Sequence, residues 1–176
     1  MTFTPIYPLY LDEAVNLLES AFPPIEHRPT PQWIELTKGH PIFHAKAIVE
    51  NTKFSGLLTY WDFGDFLYIE HFAILPTLRN GGYGKRALQT FLYENQHMNI
   101  VLEVEMPDND LARRRIGFYE RNGFCLIEEC DYLQPPYDPS FESLSLKLMG
   151  TQGNITRNHY DEIVNKIHRE VYGVKK

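Results

Sequence analysis

The sequence has few cysteines and no surplus of positive charge, and each of these absences excludes certain structural features or classes of function. Its two cysteines, Cys125 and Cys130, lie five residues apart in one predicted strand. They therefore face opposite sides and do not bridge, and we expect both to be buried packing residues. The net charge of −6 argues against general binding to nucleic acid or membrane surfaces, because both reward a basic protein face.

Long apolar runs and recognisable targeting segments are also missing. No run reaches the length of a bilayer-spanning helix, and residues 1–5 lack a charged region followed by an apolar core. We therefore expect a soluble, cytoplasmic protein with neither nucleic acid nor membrane among its partners.

Two common kinds of catalytic site lack support. His40 and His44 have the spacing of a helical metal-ligand pair. Pro41 and the strand pattern after it indicate that this segment is not helical. Neither a Gly-x-Ser-x-Gly nucleophile elbow nor a Cys/His pair with local support is found. We expect no metal site.

What is present is a regular order of strands and helices, which predicts an α/β (α+β) fold. The predicted strands show apolar runs bounded by turn residues, at 3–7, 43–50, 54–61, 66–75, 99–106, 124–133 and 141–149. The predicted helices show apolar positions at helical spacing, at 11–22, 30–39, 82–97, 108–124 and 158–172. The strands from 43 to 75 form an antiparallel meander.

The chain is predicted to form one main domain. No Pro-, Ser- or Gly-rich linker divides its 176 residues, and 43% hydrophobic content is enough for one core. We assign residues 1–150 to the domain and residues 151–176 to a C-terminal helical extension. The apolar face of that helix needs a partner surface, either the domain itself or another subunit, so both a monomer and a homodimer are compatible with it.

The most informative segment is a basic, glycine-rich loop between an apolar strand and a helix, at residues 79–85. Its glycines let the backbone approach a ligand closely, and the first amides of the helix have no internal acceptor. The helix dipole and the positive charges of Arg79, Lys85 and Arg86 add attraction for an anion. The loop therefore predicts a polyphosphate-binding site.

The loop fits more than one pattern. Gly82-x-Gly84-x-x-Ala87 matches a dinucleotide fingerprint, and Glu103 and Glu105 stand where that fold places a ribose-binding acid. Against this, a meander precedes the loop, and five residues separate the strand from the glycines. A glycine-rich turn that merely starts a helix is the remaining interpretation.

With Arg79 included, the loop has the pattern Arg79-x-x-Gly82-x-Gly84. A second motif follows later in the chain, Phe118-Tyr-Glu-Arg-Asn-Gly-Phe124. Together with the order of elements over residues 43–149, these motifs resemble the GNAT superfamily of acyl-CoA-dependent N-acetyltransferases. The resemblance implies a GNAT fold, with a mixed, mostly antiparallel sheet flanked by helices and, here, an added C-terminal helix. It also implies an enzyme that moves an acetyl group from acetyl-CoA to a primary amine by direct attack, through a tetrahedral intermediate.

The resemblance further assigns residues to acetyl-CoA. It places the pyrophosphate on the amides between Arg79 and Gly84, and the pantetheine arm and acetyl carbonyl along the preceding strand, where the amide of Ile74 serves the oxyanion. The residues assigned to binding are Phe72, Ala73, Ile74, Arg79, Asn80, Gly81, Gly82, Tyr83, Gly84, Lys85, Asn109 and Tyr119.

The acid and one candidate base, Glu103, come from the same resemblance, whereas Glu70 and His71 are candidates because they lie on the strand before the loop. Tyr119, four residues before Gly123, is the expected general acid. A phenol has a pKa of about 10, so the free-energy cost of transferring its proton to a thiolate is small. Glu103 and Glu70 are the candidate bases, with His71 as a rival and a water relay as a further possibility. Strand alternation predicts that Glu70 and His71 point to opposite faces.

The acceptor is expected to be a small-molecule or peptide amine. Aromatic residues with an occasional carboxylate, in residues 22–28, 61–63 and 132–137, suit a cationic or partly apolar amine. Two alternatives remain: a non-catalytic acyl-CoA-binding domain and, less favoured, a dinucleotide-binding oxidoreductase.

Overall fold

The computed structural model describes residues 1–127, 132–151 and 157–175 and has a mixed α/β architecture. Its sheet is mostly antiparallel, and five α-helices flank it among the described residues. The predicted fold class is confirmed. The chain forms two compact units, Met1–Met98 and Asn99–Lys176.

The first unit is built on four consecutive antiparallel strands. They are β1 (Thr2–Pro5), β2 (Phe43–Glu50), β3 (Lys53–Asp62) and β4 (Phe66–Ile74). The central strand β3 is buried over most of its length, and its successive side chains point to opposite faces of the sheet. Tyr60 contacts the ring of Phe91, whereas Trp61 contacts the rings of His40 and Phe43.

Three helices cover this sheet: α1 (Leu11–Ala21), α2 (Thr30–Thr37) and α3 (Tyr83–Glu94). Their apolar residues recur at helical spacing. In α1 these are Ala14, Leu17 and Leu18, and in α3 they are Ala87, Leu88 and Phe91. The segment between α1 and α2 contains a short 3₁₀ turn, Pro24–Glu26, and it covers part of β4.

A β-bulge interrupts the pairing of β3 with β4. Thr59 pairs with His71 and the next residue, Tyr60, pairs with Ile69, so Glu70 is the additional residue on β4. The bulge breaks the predicted alternation. The side chains of Glu70 and His71 both bond to the segment 22–28 instead of facing opposite sides.

The second unit is organised around its longest antiparallel pairing. Its elements are β5 (Asn99–Glu105), α4 (Asp110–Glu120), β6 (Cys125–Leu126), β7 (Tyr132–Gln134), β8 (Leu144–Gly150) and α5 (Arg157–Glu170). Strand β8 pairs with β5, and β6 and β7 also pair with β8. Helix α5 buries Tyr160, Ile163 and Ile167.

The predicted strand over residues 124–133 differs from what is observed. Its described parts are two short strands, β6 and β7, which pair with different ends of β8. Cys130 lies outside the described residues. Cys125 is exposed, so the expectation that it is buried was wrong: alternation turns Phe124 inward and its neighbour outward.

Over residues 1–127, 132–151 and 157–175, no helix is both long enough and apolar enough to cross a bilayer.

Two glycines allow a matched test of close packing. A Cβ at Gly56 would lie 2.4 Å from the carbonyl oxygen of Ala73, whereas one at Gly117 in α4 would meet only the flexible guanidinium of Arg121, at 3.1 Å. Gly56→Ala should therefore lower the free energy of unfolding by about 1–3 kcal/mol. Gly117→Ala should raise it by up to about 1 kcal/mol, since alanine favours a helix. Urea unfolding measures both, and equal midpoints would contradict the packing argument.

Candidate active site

The predicted phosphate loop connects β4 to α3 in the first unit. A 3₁₀ turn, Pro76–Leu78, comes first. Asn80 and Gly82 then both have positive φ, 64° and 76°, a region that glycine and asparagine tolerate best. This backbone turns the chain sharply into the start of α3.

The N-terminus of α3 is uncapped. Gly82 occupies the cap position, and none of the described side chains accepts a hydrogen bond from the first amides of the helix there. The N–H groups of Tyr83, Gly84 and Lys85 have no acceptor within the helix either, because they belong to its first turn. Three donors and the positive end of the helix dipole therefore meet at the loop, which suits an anion.

The basic side chains around the loop have different roles. The Nε of Arg79 donates to the carbonyl oxygen of Ile74 at 3.2 Å, which ties the loop to the end of β4. The guanidinium of Arg86 lies 4.7 Å from the ring centroid of Tyr83 and 3.3 Å from the carboxylate of Glu50. The charge of Arg86 is thus partly balanced, whereas Lys85 is exposed.

The end of β4 has backbone donors directed away from β3. The N–H of Leu75 donates to the carbonyl of Ser55 at 3.0 Å, so this residue belongs to a hydrogen-bonded pair. In an antiparallel ladder such pairs alternate with pairs that do not bond to each other. The N–H groups of Phe72 and Ile74, which pair with Leu58 and Gly56, therefore point away from β3.

Glu70 lies in a buried ion pair. Its carboxylate accepts hydrogen bonds from Arg28 and from the indole of Trp61, both at 2.8 Å, and its side chain has no exposed surface. Burial alone raises the pKa of Glu70, but the charge of Arg28, the nearby His71 and the two hydrogen bonds outweigh it. The pKa therefore ends below its ordinary value, and the carboxylate stays ionised at neutral pH.

His71 is equally engaged. Its Nδ1 lies 3.2 Å from the hydroxyl of Thr59 and its Nε2 lies 3.1 Å from the carbonyl of Glu26. Burial lowers the pKa of His71, so the ring is neutral at neutral pH. A carbonyl can only accept, so Nε2 carries the proton, and Nδ1 accepts from Thr59. The ring thereby fastens the turn before α2 to β4.

Tyr119 lies in α4 of the second unit with its ring buried between Phe118 and Phe124, at centroid distances of 5.3 and 5.6 Å. Within the described part of the chain its hydroxyl forms no hydrogen bond. Burial raises the pKa of Tyr119 to about 12, with a small opposing effect from Arg115. The phenol is therefore protonated over the whole physiological range.

Asn109 caps the helix that carries Tyr119. Its side-chain oxygen accepts from the N–H of Ala112 at 2.9 Å, as an N-cap residue does. The structure thus gives Asn109 a structural role, while its predicted contact with the pantetheine arm stays a prediction.

Glu103, on β5, is held by two phenols. Tyr132 of β7 donates a short hydrogen bond to its Oε1, and Tyr172, which follows α5, donates to Oε2 at 2.9 Å. Burial, followed by the charge of Glu103, raises the pKa of Tyr132 well above its ordinary value. Both the carboxylate and its donors belong to the second unit.

A groove of about 590 Å³ in the first unit lies between α1, the turn from β2 to β3, and the end of β4. Tyr10, Lys53 and Pro76 are among its lining residues, and none of the predicted site residues lines it. The size of this groove therefore does not identify the site.

Comparison with known proteins agrees with this geometry. The sequence profile of the GNAT acetyltransferase family matches residues 6–124, which include the loop and Tyr119. The chain belongs to the GNAT family of acetyltransferases. A search of curated protein sequences finds no significant match.

Solved structures support the same GNAT assignment. A protein from Bacteroides thetaiotaomicron, described as a GNAT-family acetyltransferase, is 43% identical with a TM-score of 0.92, and the match covers 99% of this chain and 100% of that one. The ribosomal-protein-S18-alanine N-acetyltransferase from Escherichia coli is 16% identical with a TM-score of 0.60, covering 85% and 91%. An aminoglycoside 6′-N-acetyltransferase complexed with coenzyme A is 15% identical with a TM-score of 0.59, covering 85% and 96%. The last two matches show the GNAT fold alone.

Sequence reasoning located the GNAT loop and both carboxylates but missed their partners. Arg28 and Trp61 hold Glu70, and Tyr132 and Tyr172 hold Glu103. The sequence placed Arg28, Trp61 and Tyr132 in segments expected to line the acceptor entrance, so their residue types were noticed. Only long-range pairing, over 29 residues for Tyr132 and 69 for Tyr172, reveals the contacts.

Proposed function

We propose that this GNAT protein is an N-acetyltransferase that transfers an acetyl group from acetyl-CoA to a primary amine of a small molecule or peptide. The observation that carries the proposal is the uncapped N-terminus of α3 behind a loop with two positive-φ residues. Such a cluster of unpaired backbone donors fits a diphosphate. The structural neighbours whose descriptions name a substrate act on amines, which supports an amine acceptor.

The loop residues would hold the pyrophosphate of acetyl-CoA. Amides from Asn80 to Lys85 supply fixed donors, and Arg79 keeps the loop against the end of β4 through its bond to Ile74. Acetyl-CoA supplies an acetyl group activated as a thioester. The N–H of Ile74, which points away from β3, is the proposed donor for the acetyl oxygen, and the pantetheine arm is proposed to lie along the same end of β4.

The amide of Ile74 is the proposed stabiliser of the oxyanion. A backbone N–H fixed in a strand needs no rearrangement when negative charge develops, and such donors are typically worth several kcal/mol in the transition state. Because the donor is main chain, replacing the side chain of Ile74 leaves it in place.

Tyr119 is the proposed acid. With a pKa of about 12 it stays protonated, and it can donate a hydrogen bond to the departing sulfur. Full proton transfer to a free thiolate costs more free energy than the sequence suggested, because the pKa of a thiol is only about 8.5. The phenol therefore acts chiefly by stabilising charge on sulfur as the bond breaks.

Glu103 is the proposed base, acting on the amine directly or through water. Glu70 is the weaker candidate, because it is fully buried in an ion pair with Arg28, whose positive charge lowers its pKa. A carboxylate held in this way is a poor proton acceptor. The donors on Glu103 are neutral phenols, which carry no positive charge to oppose its protonation.

The cofactor assignment is tested by placing a charge on the loop. Gly82→Asp should weaken binding of acetyl-CoA at least tenfold, because a carboxylate then faces the pyrophosphate. Gly82→Asn is the matched control, since asparagine has the same size and tolerates positive φ equally. Isothermal calorimetry with acetyl-CoA measures both variants.

The two variants differ only in the negative charge at position 82, so a lower affinity for acetyl-CoA in Gly82→Asp than in Gly82→Asn measures the effect of that charge. Equal affinity in Gly82→Asp, Gly82→Asn and the native chain would overturn the assignment of the loop. Tight binding of acetyl-CoA without thiol release over a panel of amines would instead favour a non-catalytic acyl-CoA-binding protein.

A further inference from the structure

The segment that follows α5 reaches the proposed base. Tyr172 donates to Glu103 at 2.9 Å to one oxygen and 3.2 Å to the other, and it lies two residues beyond the end of the helix. Tyr132, from β7, donates to Oε1 of the same carboxylate. Two phenols from separate elements thus converge on one acid.

Tyr172 is held where it is by its surroundings. The preceding residue, Val171, is 4% exposed, and the N–H of Val174 donates to the carbonyl of His168 at 2.9 Å, which closes the end of α5. The ring of Tyr172 lies 4.8 Å from that of Tyr137 and 6.4 Å from that of His168. Its hydroxyl is therefore presented to Glu103 by packed neighbours.

Phenolic donors on a carboxylate have two physical effects. They favour the ionised form over the protonated one, and they fix the orientation of its oxygens. Both effects bear on an acid that must be ionised and correctly aimed before it accepts a proton. A hydroxyl contributed by the last helical region of the chain would be superfluous if that region served only to cover the sheet.

We infer that Tyr172 is a positioning residue for Glu103, so that the segment after α5 is part of the acetyl-transfer site. This inference rests on the proposed function, in which Glu103 accepts the proton of the amine. Tyr132 donates to the same carboxylate and shares the task. Among the described residues, the titratable groups around these phenols include Tyr137 and Tyr160, which interact with Tyr132, and His168, whose ring contacts both phenols.

The first measurement follows the Glu103 carboxyl directly, by NMR titration of protein labelled with ¹³C at the glutamate carboxyls, with Glu103→Gln to assign the signal. Tyr172→Phe should move the midpoint of this titration to higher pH by roughly one unit, because a hydrogen bond to the charged form is lost. Tyr93→Phe, on the exposed surface of α3, is the control and should leave the midpoint unchanged.

The second measurement is the pH dependence of kcat/KM for acetylation. Tyr172→Phe should lower the rate more at pH 6 than at pH 8, and it should have no further effect in a Glu103→Gln background. A chain that ends at Val171 should behave like Tyr172→Phe, whereas one that ends at Val174 keeps the phenol and the bond from Val174 to His168, and should behave like the native chain.

The two measurements separate the inference from the proposed function. An unchanged carboxyl titration in Tyr172→Phe overturns the inference, whatever the activity. A shifted titration with an unchanged pH profile overturns the catalytic part, because the carboxylate is then positioned without being used. Absence of acetyl transfer by the native chain over the amine panel overturns the proposed function itself.

Discussion

Arg28→Ala should lower the free energy of unfolding by about 3–5 kcal/mol, because it leaves the carboxylate of Glu70 buried without its cation. The two side chains are 2.8 Å apart, and they expose 11% and 0% of their surface. The guanidinium also lies 5.5 Å from the ring centroid of Trp61, a cation–π contact that the same change removes. Urea unfolding at pH 7 measures the effect.

The control replaces both partners. Arg28→Met combined with Glu70→Gln removes both charges together, so it should destabilise less than Arg28→Ala alone. If the double variant is as unstable as Arg28→Ala, the loss of stability comes from lost packing and not from an unpaired buried charge.

The pH dependence of this ion pair has a definite sign. The pKa of Glu70 is lowered on folding, so its contribution is present above the ordinary value of 4.5 and is lost as pH falls through the folded value. The unfolding free energy of the native chain should therefore fall more steeply below pH 4.5 than that of Glu70→Gln.

Tyr119→Phe should lower kcat by about 100-fold, at the low end of what a positioned acid contributes, while the affinity for acetyl-CoA stays close to native. The change removes only the hydroxyl, and the ring contacts with Phe118 and Phe124 remain. Steady-state thiol release gives kcat, and calorimetry gives the affinity.

The matched control for Tyr119 is Tyr93→Phe, which removes an identical group from an exposed position. It should leave both quantities unchanged. A Tyr119→Phe enzyme with native kcat would contradict the role assigned to the phenol. Because the pKa of Tyr119 is about 12, no alkaline loss of activity from this group is expected below that pH.

Most of the secondary structure follows from local patterns. Strands β2, β3 and β4 lie within about a residue of their predicted bounds, since each is an apolar run between turn residues. Helix α2 begins at Thr30, where Thr-Pro predicted a start. The loop at residues 79–85 was also predictable, because glycine and basic residues just before a helix form a pattern that is visible within a few residues of sequence.

Features that depend on distant partners could not be predicted. The bulge at Glu70 is a property of two strands in register, and the alternation rule applied to one strand misplaces its neighbour His71. The position of Tyr172 against Glu103 joins residues 69 apart in the sequence, and no local pattern specifies it. The exposure of Cys125 follows from a strand of only two residues, too short for a periodic signal.

The bulge also determines how the protein tolerates acidic buffers. It places side by side two groups that hold residues 22–28, the carboxylate of Glu70 through Arg28 and the ring of His71 through the carbonyl of Glu26. Glu70 holds Arg28 only while it is ionised, and because its pKa is lowered from 4.5, this link survives some way below the pH at which a free glutamate is protonated. The Nε2–H of His71 donates to Glu26 in both protonation states, whereas its Nδ1 accepts from Thr59 only in the neutral ring. Acidification should therefore loosen His71 from Thr59 inside the sheet while its bond to residues 22–28 remains, and storage near neutrality keeps all three links in place.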